Sequence, residues 1–323
     1  MKLVSCFSFI LILLLGSCKK QSSEVFVPYP TQDTVWGPVA SSFIHPLDTL
    51  FTSANTETII ANATTGGTLH FSNYADVVFP AGFAANNGSV VSGNVNVSLL
   101  YLKSKGDFVR YARPTFSETD GLLDNTAAFK VSVSQNGQAL DIASGSFIKL
   151  HFRIGVPFNS NNQVLNGDTT VSNTGNFTWN INTDNSLLQP FAGSDNTGNY
   201  IGYDMKCTQA GWIGCGRIAD NNAADTGKLE VLLPPNFTNK NSSVYIVTRN
   251  QRSVVRVSPN LNSRTFRSAN VPTKTEVILI VVGKVNGNYY TDAITFTSSN
   301  WQLAKPKPHK CSQQQMLDLL NAL

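Results

Sequence analysis

Charge is scarce in this chain. Asp, Glu, Lys and Arg make up 14% of its 323 residues, against about 25% in an ordinary globular domain. The basic residues form no long run and the formal net charge is only +4, so a nucleic-acid partner has no electrostatic support. The segment Lys305 to Lys310 holds three lysines, but prolines stand between them and it reads as a solvated linker. Histidine is rarer still, confined to His45, His70, His151 and His309, and nucleophilic catalysis ordinarily needs such a base beside its nucleophile. There is no Gly-x-Ser-x-Gly elbow, no His-Glu-x-x-His pair and no phosphate-cradling glycine loop, and the sparse acids form no spaced pair. No catalytic residue is assigned, and the chain is expected not to be an enzyme. No Cys-x-x-Cys or His-x-x-x-His spacing joins the cysteines to His309. The oxygen-rich run from Asp195 to Tyr203 lacks the acidic twelfth residue of a calcium loop. No metal and no cofactor are expected.

The one long hydrophobic run lies at the start. Lys2 precedes an apolar core that Phe9 to Leu15 completes, of the length found in export signals. Polar Ser17, Lys19 and Lys20 stop it short of the roughly 20 residues a spanning helix needs. Residues 1–17 therefore read as a signal peptide. Leu15-Gly16-Ser17-Cys18 then resembles the bacterial lipobox, which implies diacylglycerol on the Cys18 sulfur and a membrane partner reached through the N-terminal lipid. Lys19 stands where an aspartate would, by resemblance to enterobacterial lipoproteins, favour the inner membrane. The expected location is the outer membrane, with leaflet and facing open. Of the five cysteines, Cys6 leaves with the signal and Cys18 takes lipid, so Cys207, Cys215 and Cys311 remain in an oxidising compartment. Cys207 and Cys215 flank a short Gly-containing loop and are the candidate disulfide.

The rest has the composition of a β-protein, with Asn, Ser, Thr and Gly crowding the gaps between apolar stretches. Residues 18–55 read as a lipidated start and tether. Val95, Val97, Leu99 and Tyr101 alternate with mostly polar neighbours, as do Phe129, Val131 and Val133, and Asn136-Gly137 after them is a type I′ hairpin signal. Ile148, Leu150, Phe152 and Ile154 share one strand face, and Lys149, His151 and Arg153 the other. These patterns place a first β-sandwich at 56–156. A Gly- and Asn-rich connecting region follows at 157–227, and a second sandwich of immunoglobulin or prealbumin type at 228–304. Val277 to Val282 is apolar on both faces and should be a central strand, turned back at Asn286-Gly287. In the closing segment 305–323, Ser312 and Gln315 form a capping box ahead of a stripe of Met316, Leu319, Leu320 and Leu323, which predicts a helix docked on a domain.

Gly66-Gly67-Thr68, Val77-Val78-Phe79-Pro80-Ala81-Gly82-Phe83 and Gly93-Asn94-Val95-Asn96-Val97 resemble a recurrent module of Bacteroidota outer-membrane lipoproteins, itself similar to the ZU5 β-sandwich. Gly211-Trp212-Ile213-Gly214-Cys215-Gly216-Arg217 resembles the Gly-Trp-Ile-Asn-Cys-Asp-Arg signature that follows this module, with Gly214 and Gly216 in place of Asn and Asp. The resemblance implies an all-β surface lipoprotein of two sandwiches and a terminal helix, and assigns it no settled activity. His70-Phe71-Ser72 copies a tripeptide at which some ZU5-related domains cut themselves. Here it lies at the start of the module rather than its end, and alternation puts His70 opposite Leu69 and Phe71, as in an ordinary strand.

Two further readings concern single residues. Trp212 among glycines is either an exposed aromatic platform for sugar or a core tryptophan under a tight loop. Thr34, Thr49 and Thr169 sit in Asp-Thr-x patterns that resemble Bacteroidota O-glycosylation sites. The expected function is a binding, adhesive or structural module with a protein or glycan partner in the envelope. An accessory subunit of an outer-membrane transport or secretion complex and an envelope-bound hydrolase stand as alternatives.

Overall fold

Alternation of buried and exposed side chains carries most of the architecture. The computed structural model describes residues 35–39, 45, 47, 56–72, 75–169, 177–195, 198–220 and 226–323. Cys18, Thr34 and Thr49 lie outside them, as does most of the proposed tether. The first half runs β1 (Thr56–Asn62), β2 (Gly67–Phe71), β3 (Ala75–Phe79), β4 (Ala84–Asn86), β5 (Ser89–Val90), β6 (Asn94–Leu102) and the short helix α1 (Lys105–Arg110). It continues through β7 (Phe116–Ser117), β8 (Gly121–Gln135), β9 (Gln138–Ile142), β10 (Ile148–Ile154), β11 (Gln163–Asp168) and β12 (Thr178–Asn182) to β13 (Leu188–Asp195), β14 (Gly198–Cys207) and β15 (Gly211–Ile218). The second half holds β16 (Thr226–Val231), β17 (Ser242–Thr248), β18 (Val254–Asn260), β19 (Thr265–Pro272), β20 (Glu276–Val285), β21 (Asn288–Thr297), β22 (Trp301–Ala304), β23 (His309–Cys311) and α2 (Gln313–Asn321).

The fold is an all-β sandwich architecture. One sheet runs β12-β11-β15-β8-β9-β4-β5, with β6 also on β8, β1 on β6 and β7 on β8. A five-stranded sheet, β13-β14-β10-β3-β2, faces it. Val97, Leu99, Phe129, Val131, Leu150, Phe152 and Met205 fill the space between. The third sheet, β22-β16-β19-β18-β17-β20-β21-β23, encloses its own core of Val231, Val244, Ile246, Val257, Phe266 and Leu279. Both hairpin signals are realised: Asn136 and Gly137 have φ of 52° and 82°, Asn286 and Gly287 of 49° and 77°, the doubly positive φ that a type I′ turn requires.

A third core joins the two sandwiches. Leu100, Leu102, Leu123, Leu165, Trp179 and Trp212 on the back of the first sheet meet Tyr245, Val247, Val254, Ile280 and Val282 of the third. This explains why β20 is apolar on both faces. Val277, Leu279 and Val281 point into the second sandwich's own core, while Ile280 and Val282 point into the junction. Each such side chain contributes roughly 1.5–3 kcal/mol when fully buried. Helix α2 has the expected Ser312–Gln315 capping box and inserts Met316 and Leu320 beside Phe108 and Val109 of α1 in the same junction.

Two expectations on organisation are corrected. The segment 157–227 is not a connector: β11, β12 and β15 belong to one sheet of the first sandwich and β13 and β14 to the other. Within the proposed tether, Trp36 packs edge-on against Phe266 at 5.1 Å and Gly37 accepts a 2.8 Å hydrogen bond from Asn239 Nδ2. That stretch is held on the second sandwich.

The three module-like segments meet at one corner. Gly66, at φ 72°, lies so close to the Pro80-Ala81 backbone that a Cβ there would come 2.7 Å from Ala81 N. Gly82 N donates to Ala63 O at 2.7 Å, and Ala63 N to Gly93 O at 2.8 Å.

Candidate functional site

The outer face of the five-stranded sheet carries a row of side chains fixed by strand register. In β10, Ile148, Leu150 and Phe152 turn inward and are fully buried, which sends Lys149, His151 and Arg153 outward. Antiparallel pairing opposes His151 to Asp204 on one side and to Asp76 on the other. The next pairs are His70 with Asp76 and Gln189 with Asp204. Directly opposed residues share a face. One row therefore crosses all five strands as Gln189, Asp204, His151, Asp76 and His70. Within it, His151 Nδ1 lies 2.7 Å from Asp204 Oδ1 and His70 Nδ1 lies 2.9 Å from Asp76 Oδ1. Lys149 Nζ adds a 3.3 Å contact to Asp204.

Aromatic rings lie flat beside this row because glycines clear the sheet beneath them. The Phe191 ring stacks on His151 at 3.8 Å and 16°. It crosses Gly202, where any Cβ would overlap the ring. Tyr200 meets the edge of Phe191 and lies 3.7 Å beneath the Arg153 guanidinium. Opposite Tyr200 is Gly193, whose Cβ would fall 2.7 Å from that ring. Arg153 Nη2 is anchored by Asp195 at 2.6 Å.

A groove of about 310 Å³ opens at the edge of the patch, with Phe158, Leu188, Pro190 and Phe191 as apolar wall and Asn159, Asn162 and Tyr203 as polar floor. Tyr203 Oη donates to Asn159 O at 3.2 Å and accepts from Asn159 N and Asn162 Nδ2 at 3.1 and 3.2 Å. Burial raises the Tyr203 phenol above its ordinary pKa. Phe191 belongs to both patch and groove, making one continuous surface.

Half-exposed pairs of this kind contribute about 1 kcal/mol or less each to stability. What they present at the surface is a set of fixed donors, acceptors and ring faces. The tripeptide His70-Phe71-Ser72 does not join its histidine to its serine. Ser72 Oγ donates to Glu57 Oε2 at 2.7 Å, while His70 turns to Asp76. Among the described residues, no group of three His, Cys, Asp or Glu side chains is placed to hold a metal ion.

The other sequence candidates fall away from this surface. Trp212 is no open platform: it is 7% exposed, with the Arg113 guanidinium 4.7 Å over its ring and Phe177 against its edge. The Cys207–Cys215 bridge is not formed, and both are buried free thiols. Cys207 ends β14 in one sheet, whereas β15 in the facing sheet carries Cys215 about 13 Å beyond Gly211, and a bridge needs α-carbons within about 7 Å. Thr169 is exposed just after β11. Sequence reasoning found the Lys149, His151, Arg153 face but missed Asp204, Asp76, Phe191 and Tyr200. Alternation in β14 was the available signal, masked by glycine. No protein-family model and no curated protein matches this chain.

Proposed function

We propose that the chain is a lipid-anchored outer-membrane protein acting as a non-catalytic binding module. The binding surface is the outer face of the five-stranded sheet with its adjoining groove. One observation carries the reading: Phe191 and Tyr200 are seated on glycines beside the His151–Asp204 pair, half-exposed and preorganised, on the outer face of the five-stranded sheet. Rings of this kind offer contact area at little conformational cost, and the flanking His, Asp and Arg groups supply directional hydrogen bonds. A glycan or protein of the envelope fits this chemistry. The lipobox-like Cys18 supports the anchor. The test is co-sedimentation of the purified chain with delipidated envelope material, comparing the parent with a His151→Ala, Phe191→Ala, Tyr200→Ala variant. Loss of retention in the variant is expected; equal retention, or steady release of hydrolysed glycan, overturns the reading. Palmitate labelling that persists in Cys18→Ser would separately remove the anchor.

A further inference from the structure

A second cleft, of about 220 Å³, lies where the two sandwiches meet. Its walls bring together Lys105 from α1, Asp124 from β8, Arg217 from β15, and Arg249 and Arg252 from the turn between β17 and β18. Four cations thus face one carboxylate, and that carboxylate is already engaged. Asp124 Oδ2 accepts from Arg217 Nη2 at 3.0 Å, and its Oδ1 from the Arg252 backbone N at 2.9 Å. Arg217 is also bound by Asp220, and Arg249 by Glu276 at 2.8 Å on the outer rim.

The remaining two cations are not neutralised by these contacts. Lys105 Nζ donates to the carbonyls of Thr248 and Arg249 at 2.7 and 3.0 Å, which fixes its position without cancelling its charge. Burial, then the nearby Arg252 and Arg249, hold its pKa below the ordinary lysine value. Arg252 is the unusual member. Its Nη2 is buried and has no hydrogen-bond partner. Buried polar atoms are nearly always satisfied, by protein, water or ligand. An unmet guanidinium donor and a lysine held only by carbonyls therefore meet in one cleft.

We propose that this cleft binds a phosphate-class oxyanion, held by Lys105, Arg217 and Arg252. Guanidinium forks match the oxygens of phosphate, and a lysine beside them acts as a point charge. The volume is below the roughly 300–1,000 Å³ of pockets that enclose drug-sized ligands, so the occupant is either free phosphate or the phosphoryl end of a larger molecule. The cleft shares Asn159 and Asn162 with the groove beside the sheet face, but Lys105, Arg217 and Arg252 lie outside that groove, so phosphate binding is tested independently of it.

The experiment is calorimetric titration of the purified chain with inorganic phosphate at fixed ionic strength, with chloride as the matched control. A saturable heat is expected, weakened about tenfold or more by Arg252→Met and by Lys105→Met. Lys305→Met, at an exposed lysine that lines neither cleft nor groove, should bind as the parent does. Removing an unpartnered buried cation should leave the melting temperature of Arg252→Met in chloride equal to or above the parent's, which separates lost binding from lost folding. If that variant does not fold, Lys105→Met decides alone. A sugar monophosphate binding more tightly than inorganic phosphate identifies the phosphoryl end of a larger molecule; binding no tighter identifies the free ion. Absence of saturable heat up to about 10 mM phosphate, or heats unchanged in both Met variants, overturns the proposal.

Discussion

His151 and Asp204 stand directly opposite one another on neighbouring antiparallel strands, Nδ1 to Oδ1 at 2.7 Å, with Phe191 stacked on the same imidazole. The histidine and aspartate side chains are 34% and 31% exposed, so their pairing contributes little to folding. His151→Ala and Phe191→Ala should each change the unfolding free energy by only about 1 kcal/mol, read by urea denaturation. A loss several times larger from either would mean that the patch is structural.

The thiols make a pH prediction whose sign is fixed by burial. Cys207 and Cys215 are fully buried, and desolvation raises both above the ordinary cysteine value; Tyr101 is pushed up to about 12 by the same cause. A raised folded pKa means that the folded chain keeps a proton which the unfolded chain releases. Stability from each thiol is complete below the unfolded value near pH 8.5 and declines above it, by about 1.4 kcal/mol per pH unit per group. Tyr101 adds to the decline only above about pH 10. Urea unfolding at about pH 8 and about pH 10 should show this loss, and Cys207→Ala with Cys215→Ala should flatten the slope by close to two protons. An unchanged slope would show that the thiols do not govern it.

The same cysteines should be chemically free. Without reductant, both are expected to resist alkylation in the folded chain and to alkylate fully on unfolding, because each is buried in the core of the first sandwich and neither is bridged. Mass mapping that recovers a Cys207–Cys215 linked peptide would contradict the free thiols of the structure.

Glycine explains where the sequence was legible and where it was not. The strands around Val97, Phe129 and Leu150 alternate cleanly, and the Asn-Gly turns and the Ser312–Gln315 box carry local signals that the structure reproduces. The segment 157–227 looked like a connector because its strands contain Gly167, Gly193, Gly202, Gly214 and Gly216. Four of them lie against aromatic side chains: Gly167 against Phe177 and Trp212, Gly193 against Tyr200, Gly202 against Phe191, and Gly214 against Trp179. A glycine that makes room for a ring reads locally as a loop. The partner ring lies on another strand, so the pairing becomes visible only in the fold. The His151 row has the same character, since Asp204 is 53 residues away.

Gly106 sets the contact between the two helices, and its substitution gives a prediction in which two effects oppose. Alanine in a helix is favoured over glycine by about 1 kcal/mol, so propensity alone would make Gly106→Ala stabilising. The α1 backbone, however, runs directly against the end of α2, and a Cβ on Gly106 would overlap the Leu320 carbonyl oxygen, a backbone atom of a packed helix. To accept the methyl group, α2 must move away, drawing Met316 and Leu320, each 1% exposed, out of the junction. Partial loss of two buried side chains costs about 2–4 kcal/mol, which exceeds the propensity gain. Gly106→Ala should therefore destabilise the full chain by about 1–3 kcal/mol and expose α2 to proteolysis. In a chain ending at Cys311 the clash is gone, and the same substitution should be neutral or stabilising. That change of sign, measured by urea denaturation of all four proteins in a double-mutant cycle, is the decisive outcome; an equal cost in both backgrounds would place the strain within α1 rather than at its contact with α2.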